Sequence, residues 1–236
     1  MITPPSRSSV VVGIDGSHAA IDAAQWAVDE AADRDIPLRL VYVIDEKSSD
    51  MSVQLQYAES ALLAATRAVQ ATAKPVGIET SIIYGSVLEG LAEESKAAVM
   101  ICVGSVGIGR VTWKLLGSTA ASLANTAHCP VAIIRRHAGI RRLRRAPIAV
   151  AVERCADSDP AIELAAQEAS LHHAPSAGGR RTRRDVDFPA HADETAALAV
   201  VPTDRTTATN LVGHHARCSP LVVPTEELNS TSSSLR

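Results

Sequence analysis

Val99-Met-Ile-Cys-Val-Gly-Ser-Val-Gly107, nine further residues, and then Gly117-Ser-Thr119 form the stretch on which the fold turns. The apolar run from Val99 to Val103 has the length of a buried strand, and glycines at its carboxyl end let backbone N–H groups come close to a ligand. Ser118 and Thr119 stand where a following helix exposes N–H groups that have no intrahelical acceptor, a place that favours anions and phosphate above all. The commoner phosphate loops do not fit. A Walker A loop needs Lys and then Ser or Thr after its last glycine, whereas Gly104-Ser-Val-Gly-Ile-Gly109 runs into Arg110-Val111. The dinucleotide fingerprint needs a third glycine where Thr112 stands, and an acidic residue ending a strand about twenty positions later, which is also missing.

The residues before the ladder repeat one pattern. Val10-Val-Val-Gly-Ile14 is a continuous apolar run of the kind buried in a parallel sheet, and Asp15-Gly16-Ser17 ends it where a helix begins, with Asp15 and Ser17 both able to cap that helix. The helix is predicted from Ser17 to Arg34, with Ala20, Ala23, Ala24, Ala27, Val28 and Ala31 on one small-residue face. Leu38 to Ile44 reads as a strand, Val53 to Ala73 as a surface helix, Ile78 to Tyr84 as a strand, Val87 to Ser95 as a short helix, and Val131 to Arg135 as a closing strand. Strands and helices alternate, so the fold class is α/β: a five-stranded parallel sheet with helices on both faces. Ligands of such sheets bind beyond the carboxyl ends of the strands, where Asp15, Val43 and Gly104 all lie.

Val12-Gly-Ile-Asp-Gly-Ser17, a strand ending in Val43-Ile-Asp45, the ladder from Gly104 to Ser118 and the closing Cys129-Pro-Val-Ala-Ile-Ile134 resemble the universal stress protein family, over residues 10 to 135. The resemblance is to the ATP-binding subtype, with its Rossmann-like, HUP-type nucleotide-binding fold, since members that do not bind nucleotide usually lack the ladder. It implies Gly13, Ile14, Asp15 and Val43 at adenine and ribose, Gly104 and Gly107 along ribose and phosphates, and Gly117, Ser118 and Thr119 at the phosphates. ATP is the implied ligand, accompanied by Mg2+. Val106 departs from the family, whose members often carry a polar or basic side chain there.

The second half reads as a decayed copy of the first. A constant offset takes Val10-to-Asp15 onto Ile148-Ala-Val-Ala-Val-Glu153, Glu30-Ala31 onto Glu168-Ala169 and Pro37 onto Pro175. Leu198 to Val201 echoes Met100 to Val103, and Ala216 to Val223 echoes Ala127 to Ile134. Tandem repeats are common in the family. Glu153-Arg-Cys replaces Asp-Gly-Ser and no glycine ladder follows Val201, so this copy is expected to bind no nucleotide. Ser176 to Phe188 is polar and aperiodic, which leaves two strands missing and loose order expected between about 176 and 195. The expected domains are 1–137 for ATP binding, 138–147 as an Arg-rich linker, 148–225 as the degenerate repeat, and 226–236 as a disordered tail.

Composition sets the remaining bounds. Hydrophobic residues make up 46% and charged residues 21%, as in a globular protein, while aromatics are only 3%, so the cores are built from Ala, Val, Leu and Ile. No apolar run is long enough for a membrane span and the first ten residues lack a signal-peptide core, so a cytoplasmic protein without membrane partners is expected. Cys102, Cys129, Cys155 and Cys218 show no C-x-x-C pairing and read as small core residues. The adjacent pairs His172-His173 and His214-His215 have no metal-ligand spacing. A net charge of −3 makes no case for nucleic acid, and the arginine clusters at 135–145 and 180–184 read as solvated linker charge without interleaved aromatics.

The expected function is that of a cytosolic nucleotide-dependent regulator in stress response or growth arrest, with an unidentified protein partner. The edge strand Val131 to Ile134 suits a homodimer or a pseudo-dimer between repeats. No nucleophile with its base is legible, so at most slow ATP hydrolysis is expected. The rival reading is a dimeric interaction scaffold that does not depend on nucleotide.

Overall fold

The computed structural model describes residues 8–46, 50–105, 117–134, 148–152, 160–172, 176–180, 198–203 and 219–224. The chain divides into two compact units, Met1–Arg136 and His137–Arg236.

The first unit runs β1 (Ser9–Gly13), α1 (His18–Asp33), β2 (Leu38–Ile44), α2 (Met51–Gln70), β3 (Ile78–Tyr84), α3 (Val87–Ser95), β4 (Ala98–Gly104), α4 (Ser118–Thr126) and β5 (Val131–Ile134). Its strands lie in the order β3-β2-β1-β4-β5 and every pair is parallel. Parallel neighbours need crossover connections, and right-handed crossovers fix which face each helix covers. The chain steps from β1 to β3 in one direction and then returns to place β4 on the other side of β1. Helices α1 and α2 accordingly pack together on one face, and α3 and α4 together on the opposite one. The reversal between β1 and β4 opens the crevice that positions the site.

Burial follows the sequence pattern. The α1 stripe of Ala20, Ala23, Ala24, Ala27, Val28 and Ala31 is buried against β1, β4 and their neighbours, because small side chains at helical spacing let a helix approach a sheet closely. Cys102 and Cys129 are buried in the same core. Helix α2 begins two residues before its predicted start, since the Asp50 carboxylate accepts from the N–H groups of Ser52 and Val53 and so caps it earlier. It ends before its predicted end, and Ala73 takes a positive φ of 55° in the turn that follows.

Arg39 is the residue whose role the sequence left blank. It is the second residue of β2 and is 1% exposed. Its guanidinium is bidentate to Glu94 of α3, Nε to Oε2 at 2.8 Å and Nη2 to Oε1 at 3.1 Å, and reaches Glu79 of β3 at 3.4 Å. The hydrogen-bonded Glu94 carboxylate raises the guanidinium pKa above its ordinary value against the opposing effect of burial. A charge so deep is held only because it is paired on its own sheet and by the helix above it.

The second unit contains β6 (Ile148–Val152), α5 (Pro160–Leu171), β7 (Ser176–Arg180), β8 (Leu198–Thr203) and β9 (Ser219–Pro224). Its parallel order is β7-β6-β8-β9. One expectation is corrected here. The polar stretch from Ser176 begins with a strand, paired with β6 from Ile148↔Ser176 to Val152↔Arg180. A ladder is made by backbone N–H and C=O groups, so a partner strand can recruit Ser-Ala-Gly-Gly-Arg although its side chains carry no strand period. His172 lies at the end of α5 with Nε2 3.5 Å from the Glu168 carboxylate one turn earlier. Gly107, Val106, Arg135, Glu153, Cys155, His173, His214, His215, Cys218, the linker 138–147, residues 181–195 and the tail 226–236 lie outside the described residues.

Candidate functional site

At the carboxyl ends of β1, β2 and β4 lies a cavity of about 350 Å3. It brings together Gly13, Ile14, Asp15, Val43, Gly104, Gly117, Ser118 and Thr119. Of the residues expected at the site, only Gly107 is not among them, because it falls outside the described residues.

The β1–α1 turn forms one side. The Ile14 N–H donates to the Val41 carbonyl at 2.8 Å, which ties the end of β1 to β2. Beyond it, one carboxylate oxygen of Asp15 accepts from the Ser17 N–H at 2.9 Å, and Gly16 takes a φ of +83°, a conformation that favours glycine. Ser17 is the N-cap of α1, its hydroxyl accepting from the Ala20 N–H at 3.1 Å. Of the two capping candidates, Ser17 alone caps α1. Asp15 holds the turn and borders the cavity.

The opposite side is the start of α4. Its N-cap is Gly117, which has no side chain to satisfy the first-turn N–H groups, and Ser118, Thr119 and Ala120 line the cavity there. The positive end of the α4 dipole is thereby turned to the cavity, the arrangement that binds phosphate and carboxylate.

At two ladder glycines the structure departs from what the sequence suggests. Gly117 has φ −63° and ψ 147°, open to any residue, and its N–H donates to the Ser105 carbonyl at 2.7 Å. Neither a special dihedral nor a free amide explains it. A Cβ on Gly104 would lie 2.7 Å from the carbonyl carbon, 2.8 Å from Cβ and 2.9 Å from the carbonyl oxygen of Ala19. Gly104 is what lets the first turn of α1 rest on the end of β4.

Sequence reasoning missed the apolar wall: Val41 of β2, Val87 and Leu91 of α3, and Val103 of β4. Helix α3 carries no motif, and nothing local in it signals that its first turns would cover a strand end. Tyr42 was missed too. It is 8% exposed, and burial pushes its phenol above the usual pKa, with Tyr57 and Asp15 adding to the shift. The cavity thus joins an apolar wall, a carboxylate, hydroxyl groups and an unsatisfied helix start, which suits a ligand with a flat apolar part and an anionic part.

The model of the universal stress protein family matches residues 7–135. A universal stress protein of Mycobacterium tuberculosis is 47% identical over 181 residues, 75% of this chain and 66% of the relative. A second from the same organism is 52% identical over 137 residues, 57% of this chain and 51% of the relative. The chain spans just under two thirds of the first relative's length and about half of the second's. Among solved structures, a universal stress protein from Archaeoglobus fulgidus matches with a TM-score of 0.73 at 13% identity, covering 93% of this chain and 98% of that one, a likeness of fold.

Proposed function

The chain belongs to the universal stress protein family, and from that membership we propose that its first unit binds ATP in the cavity between β1 and β4 and acts as a nucleotide-dependent regulator in stress response or growth arrest. The observation that carries this reading is the meeting of an apolar wall with a helix start that lacks a side-chain cap, at the point where the strand order reverses. The adenine ring lies against Val41, Val43, Val87 and Leu91, whose side chains offer dispersion contact to a flat ring. The phosphates lie at Ser118 and Thr119, where the helix dipole and backbone N–H groups favour negative charge. A volume of about 350 Å3 is within the range of roughly 300–1,000 Å3 usual for small-molecule sites.

Mg2+ takes oxygen ligands and is commonly held by one or two carboxylates together with substrate phosphates. Asp15 is the carboxylate on the cavity wall, with the Ser17 hydroxyl in the same turn and the Ser118 and Thr119 hydroxyls on the opposite side, and hard oxygen ligands of this kind suit the ion. Cytosolic residence, a partner protein and assembly as a homodimer or a pseudo-dimer between repeats complete the proposal. No helix among the described residues is long and apolar enough to cross a membrane.

The test is chemical. Protein purified without added nucleotide is denatured and its supernatant chromatographed, and the stripped protein is titrated with ATP by calorimetry. The expected result is co-purifying adenine nucleotide and a stoichiometry near one per chain, because the second unit has Glu153-Arg-Cys in place of Asp-Gly-Ser and no ladder. No bound nucleotide and no heat of binding would refute the reading and favour the nucleotide-independent scaffold. A stoichiometry of two would put a second site in the second unit. Release of ADP on incubation would add turnover to binding.

A further inference from the structure

Tyr57 does not line the cavity, yet it touches two of the segments that do. It lies on α2, whose start is fixed by the Asp50 cap, and it is 44% exposed. The ring turns its hydroxyl end inward over the β1–α1 turn. A Cβ on Gly16 would meet the Tyr57 Oη at 2.6 Å, Cζ at 3.1 Å and Cε1 at 3.3 Å, so the phenol sits on the bare Cα of the residue between Asp15 and Ser17. The ring also packs edge-to-face on Tyr42, with centroids 6.2 Å apart and planes at 70°. Tyr42 belongs to the cavity wall and Asp15 is its charged neighbour.

From this geometry we infer that Tyr57 is a positioning residue for the nucleotide site: it clamps the Asp15–Gly16–Ser17 turn from outside and braces Tyr42 from behind. The inference rests on the ATP reading above and extends it to a residue on a helix that contributes nothing to the cavity lining. Gly16 is constrained twice. Its φ of +83° favours glycine, and the phenol occupies the space where a side chain would go. The Asp15 carboxylate holds the turn from within through the Ser17 N–H, but its middle residue has no side chain to pack, so the outer face of the turn depends on what is pressed against it. That contact comes from Tyr57, and the carboxylate of Asp15 is held one residue away. A half-exposed tyrosine contributes less to global stability than a core residue, so its loss is expected in affinity more than in melting temperature.

The experiment compares wild type, Tyr57→Phe and Tyr57→Leu as full-length, nucleotide-stripped proteins. ATP affinity is measured by calorimetry well below the melting point and corrected for the folded fraction from denaturant titration. Phe keeps the ring on Tyr42 and most of the contact with Gly16, whereas Leu keeps apolar volume and loses the ring. Tyr57→Leu should weaken ATP binding by about tenfold, the upper end of what an edge-to-face aromatic contact supplies, and Tyr57→Phe should stay within about threefold of wild type. Rescue by Phe is the signature that a merely structural role would not produce after correction for folding. Unchanged affinity in Tyr57→Leu, or equal weakening in both variants, overturns the role assigned to the ring while leaving ATP binding intact. Failure of the wild type itself to bind ATP overturns the underlying reading, and is told apart because all three proteins are then silent.

Discussion

Replacing Gly104 with alanine tests the packing of the site from its most constrained point. The new methyl carbon would stand 2.7–2.9 Å from three atoms of Ala19, two of them backbone. Optimal separation between non-bonded carbons is about 3.5–4.0 Å, so the end of β4 and the first turn of α1 must part by about 1 Å. No rotamer change relieves a contact with backbone, and Ala19 is itself buried. Overpacking of this kind costs about 1–3 kcal/mol. For a chain of this length each kcal/mol lowers the melting temperature by about 2–4 °C. The same displacement moves Ser17 and the Asp15 turn away from α4, so ATP affinity should fall by about tenfold, equivalent to about 1.4 kcal/mol. Urea titration of the ligand-free variant followed by calorimetry with ATP measures both effects. If Gly104 served only to let phosphate approach, alanine would spare the stability of the ligand-free protein. An unchanged urea midpoint would therefore refute the packing argument.

Other substitutions separate the remaining roles. Gly117→Ala should cost at most about 1 kcal/mol, since its φ and ψ suit alanine and glycine is only the better N-cap, while the methyl group added to the cavity lining lowers ATP affinity about ten- to hundredfold; unchanged affinity in a folded variant would remove the start of α4 from the site. Asp15→Asn should leave the melting temperature of ligand-free protein almost unmoved, because an amide oxygen can still accept from the Ser17 N–H, yet weaken ATP binding; equal losses in both measurements would make Asp15 a structural residue. Glu94→Ala strips the buried Arg39 of its bidentate partner and leaves Glu79 at 3.4 Å, a loss of about 3 kcal/mol by denaturant unfolding, part of it recovered in the double variant with Arg39→Met. A loss well under 1 kcal/mol would show that Glu79 alone holds the charge.

Much of the first unit was legible because its signals are local. Apolar runs, a small-residue stripe at helical spacing and polar caps placed strands and helices within a few residues, and Ile78–Tyr84 and Val87–Ser95 fall where the sequence puts them. Legibility failed where one segment depends on another. Arg39 reads as an interruption in an apolar strand until Glu94 of α3 is placed above it. Ser176–Arg180 reads as loop until β6 offers it a ladder.

The candidate site divides in the same way. Asp15, Gly104, Gly117, Ser118 and Thr119 were chosen from the sequence because turns and helix starts announce themselves in the residues that make them. Their convergence was decided by tertiary structure alone, when β4 paired with β1 and set the two helix starts across one crevice. The apolar wall from β2 and α3, the seat of Gly104 on Ala19 and the clamp of Tyr57 on Gly16 are contacts between residues far apart in the chain. Side-chain periodicity records which face of an element is buried, not what buries it, so those contacts exist only once the sheet has been assembled.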